Sequence, residues 1–339
     1  PTPDMRRPVL IDIVLLLCLD SIWGGSFPAV KIAVAHMSDT ALVALRLVIG
    51  AAGMGAIAYF FGKRPPGDRR SWVLYVAAAM VGNVLPFLLI SEGQRHIDAG
   101  LAAILMATMP LASLVLAHFF TSDEKLTARR LGGVLIGLAG MLVLVGVDAL
   151  KGLGADVLGQ LALTGAAMCY ALHLIVARRL QHASPVTNAA CSIGVAALIA
   201  LPLMLATGGP PATMPLEAAL AVLFLGLGAN GIAYLLFFRL VTTVGVTFTS
   251  TINYLVPIVG VLWSALLLGE QPNPRAIAAL ALILAGIAVA NLNWGRRAWS
   301  SWKKPPESLR KFCGMPTRLM RVLAVQRMPS PSDGIAMFG

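Results

Sequence analysis

Charge is what this chain has least of. Asp, Glu, Lys and Arg make up 12% of its 339 residues against 58% hydrophobic ones, a balance that excludes a soluble globular domain. The four cysteines (Cys18, Cys169, Cys191, Cys313) are scattered without a C-x-x-C spacing, so they supply neither a disulfide framework nor a thiolate metal site. The five histidines form no H-x-x-x-H pair, and neither metal nor cofactor is expected. G-x-S-x-G is missing too, since Gly24-Gly-Ser26-Phe lacks the second glycine, and no two acids lie deep in apolar runs. An intramembrane enzyme therefore has no visible nucleophile or acid pair. No loop is long enough for a soluble domain. A channel would need a ring of like side chains, which one asymmetric chain with few deep polar residues does not supply.

What is present is apolar length. Crossing a bilayer as a helix takes about 20 apolar residues, and ten runs qualify: roughly 9–30, 41–61, 72–91, 98–120, 129–147, 157–177, 186–206, 216–238, 245–268 and 275–293. The expected fold is an all-α integral membrane protein of ten transmembrane helices. Arg6 and Arg7 before Val9–Leu19 resemble a signal peptide, yet Asp20-Ser-Ile-Trp-Gly-Gly offers no small-x-small cleavage site. An uncleaved first span is expected, with Met5 a candidate natural start.

The net charge of +11 does not point to nucleic acid, because the basic residues sit in short clusters between apolar runs. With the N-terminus inside, 21 of the 26 Lys and Arg residues fall on the inner side. Without the C-terminal tail the ratio is still 12 to 4. Both termini are expected in the cytoplasm, and the protein in the cell inner membrane. The segment 295–339 carries nine basic residues and reads as a disordered tail anchored by Trp299 and Trp302; a helix over Leu309–Val325 lying on anionic lipid is the alternative.

The chain also repeats itself. Residues 99–120 surround Pro110, Glu124 follows, and a glycine-patterned run (Gly132, Gly133, Gly137, Gly140) comes next. At an offset of 147, Thr247–Leu268 surrounds Pro257; Glu270 follows, then Arg275–Val289 with Gly286 in the place of Gly140. The same offset sets Asn83 on Asn230, Lys31 on Arg178 and Ser26 on His173. Each half holds five spans, an odd number, so the second half must enter the membrane upside down. The expected organisation is a cytoplasmic 1–8, a first repeat 9–147, an inverted second repeat 157–293 and the tail. Inverted repeats with broken helices are the architecture of secondary transporters.

Polar side chains inside the runs are the site candidates. Asn83 and Asn230 lie at equivalent mid-span places, and a carboxamide in hydrocarbon must find partners inward. The competing reading is an interhelical hydrogen bond. Asn253 shares a helix face with Pro257. Trp23, Tyr170 and Tyr234 are candidate aromatic cavity walls, with Ser26 and the titratable His173 as further candidates, although a lone histidine there is more often a helix–helix hydrogen-bond partner. Asp20 is the one deep acid and the candidate for proton coupling. Pro110 and Pro257 should kink spans four and nine in register and shape the cavity. Arg46, in the outer part of span two, is expected to snorkel outward, and Asp12, nearer the inner surface, to be solvated.

Ser21-Ile-Trp-Gly-Gly-Ser-Phe-Pro-Ala-Val-Lys31 resembles the first-span signature of the drug/metabolite transporter superfamily, EamA type. Met109-Pro110 through Asp123-Glu124, and Val256-Pro257 through Gly269-Glu270, are similar to the end of each EamA repeat; Tyr170–Arg179 is similar to the opening of the second. The resemblance implies two inverted five-helix repeats around a cavity lined by spans three, four, eight and nine. It also implies that Glu124 and Glu270, at span ends, are structural. Asp20 departs from the usual apolar position there. The expected function is an alternating-access transporter exporting an amino acid or related compound, with protons as coupling ion. Sugars, nucleotide derivatives and cationic drugs are alternative cargoes. Its expected partners are that small molecule and membrane lipid, with the chain a monomer or weak homo-oligomer.

Overall fold

A computed structural model describes residues 8–120, 127–149, 155–180, 184–272 and 274–291. The expectations for Glu124, the first residues and the basic tail lie outside them. Every element among the described residues is helical. The first half comprises α1 (Leu10–Val34), α2 (Asp39–Phe60), α3 (Arg69–Ala79), a π segment (Met80–Val84), α4 (Leu85–His96), α5 (Ala99–Met106), α6 (Met109–Phe120) and α7 (Ala128–Ala149). The second comprises α8 (Ala155–Ala177), α9 (Pro185–Ala206), α10 (Leu216–Leu223), a π segment (Phe224–Ile232), α11 (Ala233–Thr243), α12 (Val246–Thr249), α13 (Ile252–Leu268) and α14 (Pro274–Asn291).

Local chemistry sets the ends. Ser38, Asp68 and Ser184 accept hydrogen bonds from the backbone N–H of Ala41, Ser71 and Thr187, satisfying donors a helix start leaves free. Pro185, with no N–H to lose, opens α9. Asp12 is not solvated as expected: it is buried, and its carboxylate accepts from Val9 N–H at 2.9 Å, so the start of α1 claims it.

Seven helical stretches among the described residues are long and apolar enough to cross a membrane: 10–34, 39–60, 69–96, 99–120, 157–177, 185–206 and 216–243. Two shorter apolar helices, 252–268 and 274–290, accompany them. Their outward faces are greasy: Phe60 is 83% and Leu266 75% exposed. Such a shell suits lipid rather than water, and the chain is a multi-pass membrane protein.

Packing follows the sequence repeat. Helices α2 and α9, equivalent in the two halves, pack on each other, as do α7 and α14. The first π segment packs on α8 and α9, and the second on α1 and α2, so each rests on the first two helices of the other half. The α7–α14 crossing is a glycine contact. A Cβ on Gly133 would sit 2.5 Å from the Gly286 carbonyl oxygen, and one on Gly286 equally close to that of Gly133. Small residues let membrane helices meet backbone to backbone.

The two prolines do not act in register, contrary to expectation. Span four is interrupted at Ala107–Thr108, just ahead of Pro110 in the first turn of α6. Span nine is interrupted at Ser250–Thr251, and Pro257 lies inside a continuous α13. Proline is well tolerated in a first turn but removes one hydrogen bond from an interior, so the same residue starts a helix in one half and sits within one in the other.

Candidate functional site

Leu42, Arg46, Gly50 and Met54, spaced four apart on α2, are all buried. That single inward stripe carries an arginine. Arg46 therefore does not snorkel: it is 5% exposed and stands seven residues into α2, about 10 Å along the axis. Its Nη2 donates to Asn230 Oδ1 at 3.3 Å, and its Cζ lies 3.7 Å from the centroid of the Phe87 ring. Nε is buried without a partner. Gly50 makes this possible, since a Cβ there would fall 2.9 Å from Asn230 Cβ. Tyr170 and Tyr234, both half-buried, are within electrostatic reach of the guanidinium.

Among the described residues no carboxylate pairs with it. Among the described residues, Asp39 binds Arg95 at 2.8 Å and Glu217 binds His36 at 2.9 Å. Glu92 faces His96 and Arg95. A buried guanidinium without a counter-ion costs several kcal/mol even after relaxation. One amide bond and one aromatic face offset only part of that.

Asn230 and Asn83 sit in the two π segments, each 3% exposed. A π turn is rare and leaves a carbonyl short of its usual donor. In the first half Pro86, at the start of α4, brings no N–H and explains the widening. The second half has Ala233 at that place and instead carries Gly226, Gly228 and Gly231. The second segment is held by a side chain from the opposite half, since Trp23 Nε1 donates to the Ala229 carbonyl at 3.3 Å; against the first lies the His173 ring, which fills the space a Cβ on Gly82 would need. Trp23 also meets Tyr234 edge-on at 6.2 Å and Phe237 at 5.8 Å.

The structure thus sets Asn230 and Phe87 against Arg46, with Tyr170 and Tyr234 within electrostatic reach and Trp23 edge-on to Tyr234. Ser26 is turned back on its own helix, donating to the Trp23 carbonyl. Asn253 is half-buried near the start of α13, and its backbone N–H bonds Ser250. Asp20 is fully buried, and neither carboxyl oxygen has a hydrogen-bond partner among the described residues. It lies between Leu16, which shares a cluster with Ile252, and Gly24, which meets Gly260. Helical register therefore sets it level with Val256 and Pro257. Glu270 accepts from the N–H groups of Ala99 and Gly100 at 2.9 and 2.8 Å, capping α5, as a structural residue would. Close by, Gly100, Ile104, Gln160 and Ser264 line a cavity of about 130 Å³, remote in sequence from the arginine cluster.

Arg46 is the residue that sequence reasoning misplaced. Its signal was readable: it shares a four-residue spacing with Gly50, and small residues mark helix interfaces.

The EamA-like transporter family model matches residues 10–146 and again 157–292. A probable terminal-alkyne amino-acid exporter of Streptantibioticus cattleyicolor is 27% identical, covering 82% of this chain and 93% of its own. A probable amino-acid metabolite efflux pump of Salmonella typhimurium is also 27% identical, covering 82% and 94%. A solved crystal structure, 23% identical, superposes with a TM-score of 0.59 over 85% of this chain and 98% of that one, a likeness of fold alone. These names point to transport of small molecules rather than to catalysis. With both halves matched in turn, the chain belongs to the EamA-like transporter family.

Proposed function

We propose that this protein is an inner-membrane secondary transporter that exports an amino acid or a related compound by alternating access. In this reading ten spans form two inverted five-helix repeats, 9–147 and 157–293, with both termini in the cytoplasm. The observation that carries it is the pair of asparagine-bearing π segments, each packed on the opening helices of the other half. Irregular backbone at membrane depth is tolerated where it is buried or lines a cavity, and repeat interfaces are where such carriers hold cargo. Asn83, Asn230 and Asn253, with Trp23, Tyr170 and Tyr234, contact the substrate. Ser26 and His173 stand behind them, and Pro110 and Pro257 shape the moving helices. The amino-acid class is supported by the names of the two efflux relatives. Asp20, buried without a partner, is the residue to take up and release a proton, because an intramembrane acid must pair, protonate or meet water.

Counterflow of labelled neutral amino acids into proteoliposomes tests this. Asn83→Ala and Asn230→Ala should each abolish flux while inserting normally, and Asp20→Asn should remove its pH dependence. Undiminished flux in both asparagine variants refutes the site. Tags placed in 62–68 and 207–215 should report from opposite sides of the membrane; the same side refutes the inverted repeat.

A further inference from the structure

We infer that Arg46 binds the carboxylate of the cargo, so that this carrier selects anionic or zwitterionic molecules and rejects purely cationic ones. The inference rests on the transport reading and deepens it. A guanidinium has five N–H donors in a rigid fork. Here, among the described residues, the one hydrogen bond it makes is from Nη2 to Asn230 Oδ1, and Nε is buried and unpartnered. A structural arginine at a bundle interface is expected to meet an acid or several backbone carbonyls. This chain shows what that looks like at Arg95, which bonds the Val34 and Met37 carbonyls and the Asp39 carboxylate at 2.7 to 2.9 Å. Arg46 has none of these.

Its surroundings suit an organic anion rather than a bare ion. Phe87 covers one face of the guanidinium, and the half-buried Tyr170 and Tyr234, within its electrostatic reach, carry hydroxyls, with the Trp23 ring edge-on to Tyr234 as an apolar neighbour. A planar carboxylate matches the fork and could accept from Nε and one terminal nitrogen together. The place occurs once: the position equivalent to Arg46 in the second half is Ile193, buried and apolar. A single charge off the pseudo-two-fold axis orients one carboxylate and leaves the rest of the cargo toward the aromatic wall.

The test uses purified full-length protein and a panel of neutral L-amino acids, each paired with its methyl ester and its decarboxylated amine. Thermal unfolding is followed with each, since a ligand of the folded state raises the midpoint. Amino acids should stabilise the wild type, while their esters and amines should not. Arg46→Gln, which can still reach Asn230, should bind at least about 30-fold more weakly. Arg46→Lys keeps the charge without the fork and should fall between. It also carries the test if the glutamine variant does not fold. Equal stabilisation by esters or amines, an unchanged affinity in both variants, or no response to any carboxylate would overturn the inference. Counterflow reports on transport separately: flux that persists when carboxylate recognition fails leaves the carrier reading standing.

Discussion

The two halves share a fold and divide the chemistry. Both widen a helix at the same register, and both place a buried asparagine there. The causes differ, a proline in the first turn of α4 in the first half and a set of glycines in the second. Charge is more unequal still. The first half contributes Arg46 and Asp20, while the equivalent places hold Ile193 and Ala167. Packing keeps the symmetry because the α2–α9 and α7–α14 contacts are made by equivalent surfaces, and a change on one side must be met on the other. Charge escapes that constraint, and under the proposed carboxylate recognition one cargo needs one orientation.

Exchanging the unequal pair gives the largest expected effect. Ile193 is 1% exposed, and Ile193→Arg should cost about 3 kcal/mol at membrane depth, seen as loss of monodisperse protein on size exclusion. Arg46→Met should do the reverse for stability, leaving the unfolding midpoint unchanged or higher, because removing an unpaired buried charge offsets the lost contacts. A collapse of Arg46→Met comparable to that of Ile193→Arg would mean that the halves are electrostatically alike after all.

The glycine crossing tests the shared surface. Gly286→Leu must push α7 and α14 apart against Gly133, and overpacking of this kind costs about 1–3 kcal/mol. A lowered unfolding midpoint in detergent should report it, and an unchanged one would show that this crossing does not hold the halves together. The smallest effect should come at the cap on α5. Glu270→Gln keeps an acceptor for only one of the Ala99 and Gly100 N–H groups and loses the charge, the charge being worth about 0.3–1 kcal/mol at a helix N-terminus. The loss should shrink with added salt, and a salt-independent change would point to packing instead.

Apolar length and the 147-residue echo made the helical membrane architecture legible from residues alone, and the motifs around Trp23, Pro110 and Pro257 the family. These features survive because lipid allows few solutions: a backbone with no water to bond must close its hydrogen bonds locally. That Asn83 and Asn230 turn inward was legible for a related reason, since a carboxamide in an apolar run must leave the lipid. The proline pair misled, because a residue name does not say whether it falls in a first turn or an interior. Arg46 misled for want of a direction. An arginine two turns from a helix end can point to solvent or to the core, and its stem reaches either way.

Sequence by itself determined that this chain repeats one unit twice and lives in lipid, because both follow from composition and spacing along one dimension. Tertiary structure decided that Arg46 faces inward onto Asn230 and Phe87, and that Glu270 caps a helix from the other half. Those contacts join residues 184, 41 and about 170 positions apart, and nothing local in the chain specifies a partner at such a distance.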